Sequence, residues 1–285
     1  MTVDALGRSG APIGAAMWES LDRTMVGVAT SQLAGRRLLE VRGPFGLGLK
    51  DLSVPDEEIG DGLLASATIP LVLIQRSFAL STRDLAAYER EPTSMNLGPL
   101  VEAALAVARL EDDVLFKGTA RGGGLLTTGG VASAPATAWD EAGAATDAVI
   151  AAATRLDDNG FHGPYTLALA PARYNGLLRR LGDGFVTELQ AVRDVATDGV
   201  VKAPVLDDGG VLLASGGMFA HIVLGQDMSL GFVGPTADGR LEFTISESLA
   251  LRVLQPGAVC VLDAGTGAGK SAGAVESGAG RRRRG

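Results

Sequence analysis

The chain has 285 residues, 46% of them hydrophobic and 5% aromatic, with 40 glycines and a net charge of −8. A large aliphatic core is within reach, while a body this acidic excludes non-specific nucleic-acid binding, which needs a basic face to displace counterions. One cysteine, Cys260, excludes an internal disulfide, and two histidines leave a Cys/His metal site short of ligands.

In chain order, residues 1–14 read as an unpatterned arm. Trp18, Leu21, Met25 and Val28 then recur at spacings of three, four and three, which predicts one apolar stripe on a helix that reaches Leu33 and stops at Gly35. A short strand enters the Gly43-Pro44 turn. Residues 46–68 are acidic and glycine-rich, and predict an extended loop or hairpin that engages a partner. Asn96 caps a long second helix with Leu97, Val101, Ala104, Leu105 and Ala108 on one face, ending at Gly118. Residues 139–156 predict a third helix, residues 165–170 a buried strand, and residues 174–181 and 185–194 two short helices.

The final third is β-rich, with strands expected at 211–214, 221–224 and 241–254; Leu241, Phe243 and Ile245 alternate with polar residues. Residues 263–285 hold five basic against two acidic side chains among Gly, Ala and Ser, a composition that buries no core. Helices first and strands last imply an α+β fold rather than regular βαβ alternation. No secretory leader is visible. The most apolar stretch, near 65–74, is broken by Pro70 and falls short of the roughly 20 residues that span a bilayer, so a soluble cytoplasmic protein without membrane contact is expected.

The candidate chemistry is thin. Residues 264–271 (AGTGAGKS) match a relaxed phosphate-loop pattern, but the Gly, Ala and Arg run after Ser271 can form neither the helix nor the sheet that such a loop needs. His162 falls in a turn and His221 opens a strand, and no Gly-x-Ser-x-Gly elbow accompanies either. Glu111, Asp112 and Asp113 are adjacent on a helix, so they diverge rather than converge on a metal, and they read as a solvated or inter-subunit charged face. No catalytic residue, metal site or cofactor is predicted. An arm, a long projecting loop and a tail remain, and they suit a chain that interlocks with copies of itself.

The segment LAGRRLLEVRGPFG at residues 33–46 closely resembles the N-terminal signature of family 1 encapsulins, bacterial protein compartments built around enzyme cargo. Further blocks occur in that family's order: WESLD at 18–22, RDLAAYER at 83–90, ARLEDDVLFKG at 108–118, GPYTLALAP at 163–171, GQDMSLGF at 225–232 and ESLALRVLQP at 247–256.

The resemblance implies the fold of the HK97-type phage capsid protein. Its parts would be an N-terminal arm and docking helix at 1–45, an E-loop at 46–75, a P domain at 76–124 with 221–262, an A domain at 125–220 and a tail at 263–285. It implies a shell subunit, most simply 60 copies closing into an icosahedron, around a dye-decolourising peroxidase or ferritin-like cargo held by a C-terminal peptide. Carried over by position, Leu21, Arg36 and Glu40 would dock that peptide, and Thr197, Asp198 and Gly199 would line a fivefold pore. Arg83 stands where some relatives stack a flavin on Trp, so no flavin is expected. The alternatives are a prophage major capsid protein of the same fold, or an enzyme working through 264–271, His162 or His221.

Overall fold

The structure, a computed structural model, describes residues 4–90, 95–136, 139–180 and 185–264. Helix α1 (Ala15–Gln32) buries Met17, Leu21, Met25 and Ala29 at helical spacing. A 3-10 turn (Gly35–Arg37) leads into β1 (Glu40–Arg42). An antiparallel ribbon comes next, β2 (Asp51–Gly60) with β3 (Leu63–Pro70), closed at Asp61 and Gly62, whose φ of 71° only glycine adopts freely. Then come β4 (Val72–Ser81), α2 (Thr82–Arg90) and the long α3 (Gly98–Lys117), with Pro99 in its first turn. A small hairpin of β5 (Gly118–Thr119) and β6 (Gly122–Gly123) precedes β7 (Ala132–Pro135). The middle of the chain holds α4 (Ala144–Asp158), β8 (Tyr165–Leu169), α5 (Pro171–Gly176), α6 (Glu188–Val195), β9 (Gly199–Lys202) and β10 (Gly210–Ala214). Long strands β11 (Ala220–Pro235) and β12 (Arg240–Val253), then β13 (Val259–Asp263), complete it.

Two sheets carry the architecture, ordered β1-β11-β12-β4 and β7-β13-β10-β8-β9. The first sheet is covered by α3, which also packs on α1. Its core is aliphatic around one aromatic knot: Phe243 is wholly buried, stacks on Phe78 at 5.6 Å and meets Trp18 edge-on at 5.7 Å. The second sheet is covered by α4 on one face and turns the other toward the first core. Alternation along β10 shows this: Leu212 and Ala214 join the α4 side, Val211 and Leu213 the first core. Every residue of β8 is buried, as a strand covered on both faces requires.

Several sequence expectations shift. The segment 46–75 is a ribbon at 51–70, and its last residues already belong to β4, an edge strand of the first sheet. The block at 83–90, to which the sequence assigns no element, lies in helix α2. The third helix starts at Ala144 instead of residue 139, because Gly143 holds a φ of 97° and breaks it. The helix expected at 174–181 ends at Gly176. The expected P domain takes in β13 through residue 262, but this strand pairs with β10 and β7 in the second sheet. Residues 265–285, which hold most of the phosphate-loop look-alike and the arginine run, lie outside the described residues.

Candidate functional site

The densest buried chemistry lies where the 35–37 turn, α3 and β12 meet. The turn sits so close to α3 that a Cβ at Gly35 would collide with Leu115. That approach lets the Asp112 carboxylate accept hydrogen bonds from the backbone amides of Ala34 (2.9 Å) and Gly35 (2.9 Å), which the end of α1 leaves unpartnered. Burial pushes the Asp112 carboxyl up to about 6, while the amides of Gly35 and Ala34 pull it the other way. Next along the turn, Arg36 donates to both oxygens of Glu111 (2.7 and 2.9 Å), to Glu247 Oε2 (3.1 Å) and to Asp227 Oδ1 (2.7 Å). Glu111 and Glu247 are wholly buried, and Asp227 is half exposed. Burial opposes the charge on Arg36, but hydrogen bonds and attraction from Glu111 and Asp227 outweigh it and raise its pKa above the ordinary arginine value.

This corrects the reading of Glu111 and Asp112 as a solvated or inter-subunit face: both are interior. Only Asp113, half exposed and paired with Lys117 at 2.8 Å, behaves as a surface charge. A charged residue reaches the core here because each has partners on a neighbouring element.

Arg36 and Asp227 also form the polar end of a cleft of about 90 Å³. Ala29, Thr30, Leu33 and Met228 line it, with Val26 exposed at its rim. Met228 and Asp227 sit on an irregular stretch of β11, where the register with β12 shifts on either side of Gln226 and aims both side chains toward α1.

Of the three residues predicted for docking, the structure brings only Arg36 to this cleft. Leu21 offers no apolar seat: it is wholly buried on the core side of α1, and the exposed face of the same helix belongs to Val26 and Thr30. Glu40 lies apart on β1, opposite His221 of β11, roughly 20 Å along that strand from Asp227. It is exposed, and its carboxyl is held below the usual range by Arg42, whose Nε donates to it at 2.9 Å. Thr197 and Asp198 are exposed in the turn between α6 and β9, where the Asp198 amide donates to Tyr165 O (3.0 Å) and the Gly199 amide to Ala196 O (3.1 Å).

Neither histidine sits beside a nucleophile among the described residues. His221 is buried with Nδ1 2.7 Å from Gly217 O, and burial lowers its pKa. His162 is exposed, 3.1 Å from Asp157, which also accepts from the Tyr165 hydroxyl at 2.7 Å. No group of three or more His, Cys, Asp or Glu suited to a metal occurs among the described residues. Sequence reasoning missed Glu247, Asp227, Met228 and Val26. It also missed Phe185, which is 96% exposed and stands out in so aromatic-poor a chain.

A family model described as an encapsulating protein for peroxidase matches residues 3–250. The chain is 30% identical to the type 1 encapsulin shell protein of Myxococcus xanthus, over 93% of this chain and 98% of that one. It is likewise 30% identical to the type 1 encapsulin shell protein of Rhodospirillum rubrum, over 88% and 94%. Among solved structures, the virus-like particle of Pyrococcus furiosus superposes with a TM-score of 0.71 at 20% identity, over 87% of this chain and 99% of that one. The capsid of the myovirus XM1 gives a TM-score of 0.57 at 14% identity, over 79% and 89%. The last two likenesses establish an HK97-type fold.

Proposed function

This chain belongs to the encapsulin shell-protein family, and from that premise we propose that it docks cargo enzyme on the cleft between α1 and β11. Membership makes it a subunit of a protein nanocompartment. The observation that supports the docking reading is the cleft itself: apolar floor, exposed Val26 at the rim, and an Arg36–Asp227 pair at one end. An extended peptide with apolar side chains would bury them against Val26, Leu33 and Met228, and Arg36 and Asp227 would set its direction. The cargo we propose is a dye-decolourising peroxidase or a ferritin-like protein; the matched family model carries peroxidase in its description. We take the shell to be 60 copies, cytoplasmic, with no catalytic activity of its own.

Co-expression with each candidate cargo tests this. Val26→Asp and Met228→Asp should leave shells intact by electron microscopy and lower the cargo retained per shell about tenfold or more, since each places a charge against an apolar peptide. Leu21→Ala should instead lower stability, by about 2–5 kcal/mol, through the cavity it opens. Shells of both charge variants that retain full cargo would refute the cleft as docking site.

The exposed turn at Thr197, Asp198 and Gly199 is proposed as the pore lining. A ring of Asp198 carboxylates favours cations. Asp198→Lys should slow entry of a cationic substrate into a loaded shell and speed that of an anionic one. If neither rate changes, the turn is not the filter, and the exposed tip at Phe185 and Val186 is the next segment to vary.

A further inference from the structure

The seam between the 35–37 turn, α3 and β12 carries more buried carboxyls than Arg36, the guanidinium hydrogen-bonded to them, can neutralise. Glu111 and Glu247 are both wholly buried and both face Arg36. Bidentate hydrogen bonds at 2.7 and 2.9 Å commit Arg36 to Glu111, and its remaining reach goes to Asp227. Glu247 receives a single bond, on Oε2; its buried Oε1 has no hydrogen-bond partner. An ionised carboxylate with an unpartnered buried oxygen and a second carboxylate beside it is unfavourable on three counts: desolvation, a missing donor and like-charge repulsion. One proton on Glu247 removes all three, because it neutralises the group and gives Oε1 a hydrogen to donate to Glu111.

We propose that Glu111 and Glu247 share a single proton, which locks the turn and α3 to β12 and whose release as pH rises loosens that seam. The charged groups facing Glu247 are Glu111 from α3, Arg36 from the turn and Asp227 from β11, with Asp112 and Arg37 bearing on the same cluster from behind. On its other flank β12 sets Ile74 of β4 opposite Glu247, which offers no charge. Burial first, and then repulsion from Glu111, raise the Glu247 carboxyl far above its usual value of 4.5.

Linkage sets the sign. The folded chain keeps a proton that the unfolded chain loses above about pH 4.5, so stability falls with rising pH by at most about tenfold in the unfolding constant per pH unit. Asp112 has largely shed its proton above about 6, and the Cys260 thiol, pushed up by burial from 9.0 to about 11, acts only at higher pH. The interval from about pH 7 to about pH 9 therefore isolates this carboxyl pair. On the docking reading, and only there, release of the proton above that interval also frees the polar end of the cleft, since Arg36 belongs to both.

The test uses empty shells, so it stands or falls without any cargo. Wild-type shells should lose thermal stability steadily between about pH 7 and about pH 9, up to about a hundredfold in the unfolding constant per subunit. Glu247→Gln, neutral at every pH and able to donate to Glu111, should remove that slope. Glu111→Gln should remove it too, because Glu247 then becomes the sole buried counter-ion of Arg36 and ionises. A variant slope equal to that of the wild type, or a flat wild type, overturns the proposal. If neither variant folds, infrared spectroscopy of wild-type shells decides: a protonated-carboxyl band at neutral pH that fades on alkaline titration supports the shared proton, and its absence overturns it.

Discussion

Glu188→Ala should destabilise the subunit by about 3–5 kcal/mol, and the damage should concentrate around the second sheet. The residue that caps helix α4 is Gly143, which has no side chain to satisfy the first amides. The missing cap comes from α6: the wholly buried Glu188 accepts through Oε1 from the amides of Gly143 (3.1 Å), Ala145 (2.9 Å) and Thr146 (3.2 Å). Its other oxygen accepts from Arg179 Nε at 3.0 Å, and Arg179 in turn donates to the carbonyls of Trp139, Asp140 and Glu141. One carboxylate thus fixes the start of α4, the position of α6 and the chain entering both, and it places a negative charge at the positive end of a helix dipole. Alanine leaves three amides without an acceptor and Arg179 without its carboxylate partner. Glu188→Gln keeps one acceptor oxygen and should cost about 1–2 kcal/mol. Chemical denaturation gives the magnitudes, and limited proteolysis should show earlier cleavage within 139–214 for the alanine variant. Equal stability of both variants and wild type would mean that the helix is capped by solvent.

The same feature marks the limit of what the sequence tells. Helix α1 and the β-rich end are legible because burial on one face writes a period of 3.6 or 2 into the chain. The starts of α4 and α6 are not, since the cap of one comes from a residue about 45 positions away. The ribbon at 51–70 reads only as an extended loop or hairpin, with no strand bounds, because a two-stranded element with exposed faces carries no burial period. The buried carboxyls do leave a trace. On α3 the buried series Leu100, Ala104, Val107 continues through Glu111 to Leu115. On β12 the core-facing series Phe243, Ile245 continues through Glu247 to Leu249 and Leu251. In each case a glutamate occupies a core register, and a charge at such a position implies a buried partner. Adjacency of Glu111, Asp112 and Asp113 instead suggests a surface run. Family resemblance leads to Arg36, which lines the cleft, and to Leu21, which is buried on the core side of its helix, because position along a helix is easier to transfer than its facing.

Arg36→Met should prevent shell assembly altogether. The substitution keeps most of the side-chain volume and removes only the cation, leaving Glu111 and Glu247 buried together without one. Breaking a buried ion pair from one side costs about 3–5 kcal/mol, a large part of the roughly 5–15 kcal/mol that holds a domain folded. Sharing one proton cannot relieve this, since the second carboxyl must then also be protonated or displaced toward solvent, and the turn that carries Ala34 and Gly35 onto Asp112 moves with it. Replacing all three groups by neutral ones, Arg36→Met with Glu111→Gln and Glu247→Gln, removes the excess charge and should restore shells visible by electron microscopy, because an ion network exchanged as a unit is often close to neutral in stability. Failure of the triple variant to assemble would mean that the guanidinium's geometry, rather than charge balance, holds the seam. Assembly of the triple variant separates the two roles of Arg36: restored shells that no longer retain cargo assign the guanidinium to peptide docking, while restored shells with full cargo confine it to the seam and leave docking to Val26, Met228 and the apolar floor between them.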